Sequence, residues 1–327
     1  MRCSVATEPR GLFHEGAFYS SDDEFLAVVI PFLTGGVQAG EPTIAIFDEG
    51  NAELIRAALG DTADIALLDA NVYFIRPASA IRTYRKLLTE LMANGAQQIR
   101  VVGEIPRAGT GLTWEWWARY EATFNHAFDD VPMWVICAYD TRTTPAAVLT
   151  DVARTHPHLT TTDGHHVTNA RFEDPTSFLT RSPASGADPL EAAPPMIDLV
   201  QPTPAAARRA ILAASQTSSL NHAEITDMTY VVSEAITNAI SHGLPPIHLR
   251  LWPGPDRMVA TITDAGHGPT NPYAGLLPPT TSPPAGHGLW LIHQICSHVT
   301  LGTDDEGFTI RLVVGVPDVT ARPRTML

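Results

Sequence analysis

The 327-residue chain is poor in cysteine and poor in positive charge. Its three cysteines, Cys3, Cys137 and Cys296, lie far apart. An odd, sparse set is not a disulfide framework, and no pair has zinc-ligand spacing, so free thiols in a reducing compartment are expected. Lysine and arginine total 21 against 35 aspartates and glutamates, for a formal net charge of -14. Such a surface repels phosphate backbones and anionic lipid, which argues against nucleic acid and membrane as partners. Long apolar runs are also missing. The longest, Phe25 to Leu33, is too short for a bilayer and contains Pro31. Met1 to Arg10 lacks the apolar stretch of a signal peptide, so a cytoplasmic protein is expected. No internal repeat occurs, and no Gly-Lys-Ser/Thr phosphate loop.

What is present suits folded domains. Hydrophobic residues make up 44% and charged residues 17%, and the length accommodates two cores. The first half alternates helices and strands. Helices are predicted over 22–38, 52–59, 80–93, 113–128 and 145–155. Strands are predicted over 43–47, 65–68, 99–103 and 133–139. This alternation predicts an α/β/α domain with a mostly parallel sheet over residues 1–158. Pro157, Asp163-Gly164, Pro175, Ser182-Pro183, Ser185-Gly186 and Pro194-Pro195 then predict a linker over 159–195. His156, His158, His165 and His166 lie close together around its start; a metal site is one reading, and loop bystanders the plainer one, since no acidic residue or cysteine stands at ligand spacing. A second domain is predicted over 196–327, with a strand at 196–200, helices at 204–217 and 223–242, a hairpin of 247–252 with 258–263, a helix at 288–298 and a strand at 308–314.

Three pieces of the second domain point to chemistry. In the helix ending at Gly243, Met228, Val232, Ala235 and Ala239 form a core stripe, while Glu234, Asn238 and Ser241 share another face. An amide oxygen suits Mg²⁺, and a carboxylate can take a proton from a hydroxyl or water. Next, a strand ends in Asp264, followed by Gly266 and Gly268, where backbone can approach a ligand closely. The Asp264 carboxylate could accept a hydrogen bond from an exocyclic amine such as that of adenine. Last, Gly286 and Gly288 open a helix whose first N–H groups have no internal partner, a setting that suits phosphate. Each piece alone also fits a solvated helix face, an acidic turn or an ordinary helix start. The order and spacing of all three are much more specific.

Glu234-Ala-Ile-Thr-Asn238-Ala resembles the N box of GHKL (Bergerat) ATPases, Asp264-Ala-Gly266-His-Gly268 their first glycine box, and Gly286-His287-Gly288-Leu289 their second. The resemblance covers roughly residues 196–316. It implies an α/β sandwich with a mixed sheet, binding ATP under the loop between the glycine boxes. By that likeness Asn238 binds Mg²⁺, Asp264 binds the adenine amine and Glu234 is the general base. The stretch from Gly286 to Leu289, with Gly266 and Gly268, shapes the nucleotide pocket. Within the superfamily, Val-Ser-Glu-Ala-Ile-Thr-Asn-Ala-Ile-Ser-His-Gly resembles RsbW-type anti-sigma-factor serine kinases. These phosphorylate a serine of a STAS-type antagonist, many hold a sigma factor, and they are often homodimers.

The first half resembles the MEDS sensory domain, on His14-Glu-Gly-Ala-Phe-Tyr19, Ser21-Asp-Asp-Glu24, Tyr120-Glu121 and Cys137-Ala-Tyr139-Asp140. That likeness implies a sensor for an undefined small ligand. His14, Glu104, Glu121 and Cys137 stand out as ligand or metal candidates, each with a structural role as the plainer alternative. Trp114, Trp116, Trp117, Tyr120 and Phe124 read as a core stripe, or as the lining of a pocket. The expected function is an ATP-dependent serine kinase and anti-sigma regulator gated by the sensor. A nonenzymatic ATP-dependent switch is the alternative. A histidine kinase is less favoured, because the Pro-rich segment before Met196 offers no dimerising helical hairpin with a phospho-acceptor histidine.

Overall fold

The computed structural model describes residues 11–60, 64–106, 114–181, 187–279 and 287–315. The chain forms two compact units, the first holding most residues up to Leu179 and the second beginning in the main at Thr180.

The first unit runs β1 (Leu12–Tyr19), α1 (Asp22–Ala39), β2 (Thr43–Phe47), α2 (Glu49–Leu59), β3 (Ile65–Asp69), α3 (Ala70–Tyr73), α4 (Pro77–Ala93), β4 (Ile99–Gly103), α5 (Trp114–Ala127), β5 (Met133–Asp140), α6 (Ala146–Thr155), β6 (His158–Thr160), β7 (His166–Thr168) and α7 (Pro175–Arg181). Its sheet has the order β3-β2-β4-β5-β1-β6-β7. Only the β6–β7 pair is antiparallel, so the sheet is mostly parallel. Strand β2 is buried along its whole length, as expected for an inner strand covered on both faces. Helix α1 begins where the Ser21 hydroxyl accepts the Glu24 N–H, and ends at Gly40 in the left-handed conformation.

Strand β1 has no counterpart in the sequence reading. It lies between β5 and β6 in the sheet yet carries two buried ionisable residues, His14 and Glu15, which break the apolar pattern of an inner strand. Glu15 accepts a hydrogen bond from Trp134 Nε1 at 2.6 Å and pairs with His166 Nδ1 at 2.9 Å. The described residues of segment 159–195, read from the sequence as a linker, include strands and a short helix. Strands β6 and β7 extend the first sheet. Asn169 Nδ2 donates to the carbonyls of Ala153 and His156, and Arg154 pairs with Glu173.

The second unit continues with a 3-10 turn (Pro189–Ala192), β8 (Ile197–Val200), α8 (Pro204–Ala214), a 3-10 turn (Ser215–Thr217), α9 (His222–His242), β9 (His248–Pro253), β10 (Arg257–Asp264), α10 (His287–Ile295), β11 (His298–Asp304) and β12 (Gly307–Gly315). Its sheet has the order β11-β12-β10-β9-β8. Every described pair is antiparallel, where a mixed sheet was expected. Short turns join β9 to β10 and β11 to β12, and a short turn can only reverse the chain. Strand β11 has no counterpart in the sequence reading, apart from His298, which ends the predicted helix 288–298. The helix stops at Ile295, and Ser297 N–H donates to the Val313 carbonyl, drawing the chain into the sheet.

Alternation along the strands builds two faces. Leu249, Leu251, Met258, Ala260, Ile262, Ile310, Leu312 and Val314 meet the buried sides of α8, α9 and α10 in one core. Trp252, Val259 and Val313 face the other way and are covered by Leu190. Trp252 Nε1 donates to the Ala193 carbonyl at 2.8 Å, Arg257 binds Asp188 at 2.8 Å, and Arg311 Nη2 binds Glu191 at 3.0 Å. Residues 188–193 therefore form a strap across the helix-free face of the sheet.

Candidate nucleotide site

Helix α9 is anchored by a reciprocal cap. Asn221 Oδ1 accepts the N–H groups of Ala223 and Glu224, while Glu224 Oε2 accepts the Asn221 N–H. Met228, Val231, Val232, Ala235, Ile236 and Ala239 are buried against the sheet. This rotation leaves Glu234 and Asn238 half-buried on another face, one helical turn apart, and Ser241 exposed.

The end of α9 meets the end of β10. Asp264 is 4% exposed. Its Oδ1 accepts two backbone N–H groups, Gly266 at 2.8 Å and Leu244 at 3.1 Å. Ala265 N–H returns a bond to the Leu244 carbonyl. A Cβ at Gly243 would lie 2.5 Å from Asp264 Cγ, and one at Gly266 would lie 2.6 Å from Oδ1. The carboxylate thus sits in a slot that only glycine leaves open. Among the described residues no cation pairs with it, and Oδ2 accepts no hydrogen bond. That oxygen is left open to accept a donor from a ligand.

The start of α10 meets α9. Gly288 lies against Glu234, where a Cβ would overlap Oε1. Glu234 is thereby brought beside the N-terminus of a helix, whose open N–H groups suit an anion. His287 Nδ1 is buried without a partner, and Leu289 packs on the core of the unit. Gly268 has φ +70 and sits over the Phe308 ring. Gly286 lies outside the described residues. The structure therefore brings Glu234 to Gly288, Asp264 to Gly266, and Asn238 one turn along α9 from Glu234. Sequence reasoning missed Gly243 and Leu244 as parts of the site. Gly243 reads as a helix stop, and its contact with Asp264 depends on a residue 21 positions away in the chain. Gly307 was missed for the same reason: at φ +126 it turns against the Asp264 backbone.

In the first unit, Glu104 stands apart from the other residues singled out in the sequence. Its Oε2 accepts from Tyr19 OH at 3.0 Å and Asn51 Nδ2 at 3.1 Å. His14, Glu121 and Cys137 come together, and His156, read as a bystander, joins them. Tyr120 and Phe124 line a small cavity with Phe74 and Tyr84, and Glu121 and Cys137 contribute to its wall. Trp116 and Trp117, which group with the second unit, are buried.

Comparison with known proteins agrees with this division. Residues 13–157 match the MEDS family, described as the methanogen/methylotroph, DcmR sensory domain. Residues 200–314 match the histidine kinase-like ATPase domain. No curated protein matches the chain. Among solved structures, the NMR structure of the histidine kinase domain of the E. coli osmosensor EnvZ is 20% identical, covers 44% of this chain and 99% of that chain, and has a TM-score of 0.25. No helix among the described residues is long and apolar enough to cross a membrane. The chain joins an N-terminal MEDS sensory domain to a C-terminal histidine kinase-like ATPase domain of the GHKL type.

Proposed function

We propose that the C-terminal domain binds ATP with Mg²⁺ and phosphorylates a serine on a STAS-type antagonist of a sigma factor, under control of the N-terminal sensor. The observation that carries the nucleotide part is the Asp264 slot. Its glycine walls and unpartnered Oδ2 fit the exocyclic amine of adenine, and its backbone bonds fix the carboxylate in place. Asn238 offers an amide oxygen to the metal, on the face of α9 that holds Glu234. The N-terminus of α10, at Gly288, presents open N–H groups for phosphate oxygens. Glu234 is half-buried beside it, placed to orient a serine hydroxyl and take its proton. Bound Mg-ATP supplies the transferable phosphoryl group.

The segment between the domains supports a serine acceptor over an internal histidine. Among the described residues from His156 to Met196 there are two short strands, a seven-residue helix and a 3-10 turn. A dimerising helical hairpin has no place among them.

Phosphoryl transfer from γ-labelled ATP into native-cell extract tests the reading, with Glu234→Ala as control. The expected result is an acid-stable band at the size of a small STAS protein, lost in the variant although ATP still binds. An acid-labile band would replace the serine kinase with a histidine kinase. ATP binding without transfer to the purified antagonist would leave a nonenzymatic switch.

A further inference from the structure

We propose that His14, Glu121, Cys137 and His156 form a binding site for one divalent ion of the zinc type in the core of the sensory domain. The four residues come from four elements: β1, α5, β5 and the residue that ends α6. One ligand atom from each lies within 4.8 Å of all the others. His14 Nε2 is 3.4 Å from Cys137 Sγ and 3.7 Å from Glu121 Oε2. His156 Nε2 is 3.6 Å from Glu121 Oε2, and Cys137 Sγ is 4.0 Å from it. Tetrahedral zinc with bonds of about 2.0–2.3 Å sets its ligand atoms roughly 3.3–3.6 Å apart. These four separations lie within a few tenths of an ångström of that, and the two remaining pairs, each within 4.8 Å, close by at most roughly 1.5 Å.

The surroundings of each ligand prepare it. His14 Nδ1 bonds Asn125 Oδ1 at 2.9 Å, so that nitrogen carries the proton and Nε2 turns a lone pair to the cluster. Asn125 is held in turn by its Nδ2, which donates to the Thr155 carbonyl at 2.8 Å. His156 Nδ1 donates to the Val152 carbonyl at 2.8 Å. Its Nε2 is buried and has no hydrogen-bond partner, an orphaned lone pair aimed at Glu121. Tyr139 OH donates to Glu121 Oε1 at 2.6 Å and leaves Oε2 for the ion. Such partners behind the ligands are a regular feature of metal centres.

The charge of the ligand set suits a divalent ion. Glu121 is fully buried, and among the described residues its neighbours at ion-pair distance are the two imidazoles alone. A divalent ion bound by thiolate, carboxylate and two neutral imidazoles forms a site of zero net charge. The Cys137 proton, and any on Glu121, leaves to solvent as the metal–ligand bonds form. Glu121 and Cys137 also wall the small aromatic cavity.

The full-length chain, stripped of metal by a chelator, tests the proposal by titration with Zn²⁺ and with Co²⁺. We expect one Zn²⁺ per chain, and with Co²⁺ a thiolate charge-transfer band together with intense tetrahedral visible bands. Cys137→Ser should abolish the charge-transfer band. Tyr139→Phe removes only a partner of a ligand, keeps the packing, and should weaken Zn²⁺ binding roughly 10–100-fold. A wild-type chain that takes up no Co²⁺ with a thiolate band would overturn the proposal whether or not any variant folds. A band that persists undiminished in Cys137→Ser would overturn it too.

Discussion

In the proposed nucleotide site, recognition of the base rests on one oxygen atom, Asp264 Oδ2. Asp264→Asn keeps the shape of the side chain but lets an amide N–H₂ replace the Oδ2 acceptor. A charge-assisted hydrogen bond is worth roughly 1.5–3 kcal/mol, so calorimetric titration should show ATP affinity about 10–150-fold weaker, with the fold unchanged. Unaltered affinity would remove Asp264 from the adenine site. Gly243→Ala tests the slot from its other wall. Gly243 has φ -85, which alanine adopts freely, so the added methyl acts only through its overlap with the carboxylate. The expected result is a drop in ATP affinity of at least about tenfold with little loss of thermal stability. At this scale the sequence spoke unevenly. Asp264, Gly266 and Gly288 were legible because their spacing is local. Gly243 was not, because nothing in a helix-ending glycine reveals the carboxylate that will occupy its side-chain space. His156 was hidden in the same way, since 142 residues separate it from His14 and only the pairing of β1 with β5 and β6 closes that distance.

Elements repeat the pattern. Helices with strong apolar periodicity, such as α1, α4 and α9, were readable to within a few residues of their ends. Inner strands of continuous apolar sequence, β2, β4 and β5, were equally plain. Strand β1 was not, because its polar residues look like surface until their partners on other elements are known. Strand β11 was missed because His298-Val-Thr-Leu-Gly-Thr-Asp304 is short in apolar residues and reads as loop until it pairs with β12. The cap of α9 offers a clean test of how far element stability and site chemistry separate. Asn221→Ala removes the acceptor for two N–H groups and should cost about 1 kcal/mol. A denaturant midpoint measured on the full chain should fall accordingly. ATP affinity of the folded protein should not change, because Asn221 lies more than three turns from Glu234 along the helix. A large loss of affinity at unchanged stability would instead place the start of α9 in the binding site.

For the whole molecule, a sensor that gates a kinase requires a coupling free energy between the two domains, and such coupling is reciprocal. If Zn²⁺ in the first domain changes ATP affinity by some factor, ATP must change Zn²⁺ affinity by the same factor. Paired titrations, each ligand with and without the other, should return equal ratios differing from one. Ratios of one in both directions would mean that the ion stabilises the sensor without informing the kinase. The strap of residues 188–193 bears on how the ATPase domain is to be isolated. A fragment cut where β8 begins, 196–315, would uncover Trp252, Val259 and Val313 and leave Arg257 and Arg311 without their strap carboxylates. A fragment of 187–315 keeps that face closed. Sedimentation should find the longer fragment monodisperse and the shorter one self-associating, so the boundary suggested by the first strand is about nine residues too late for a soluble protein.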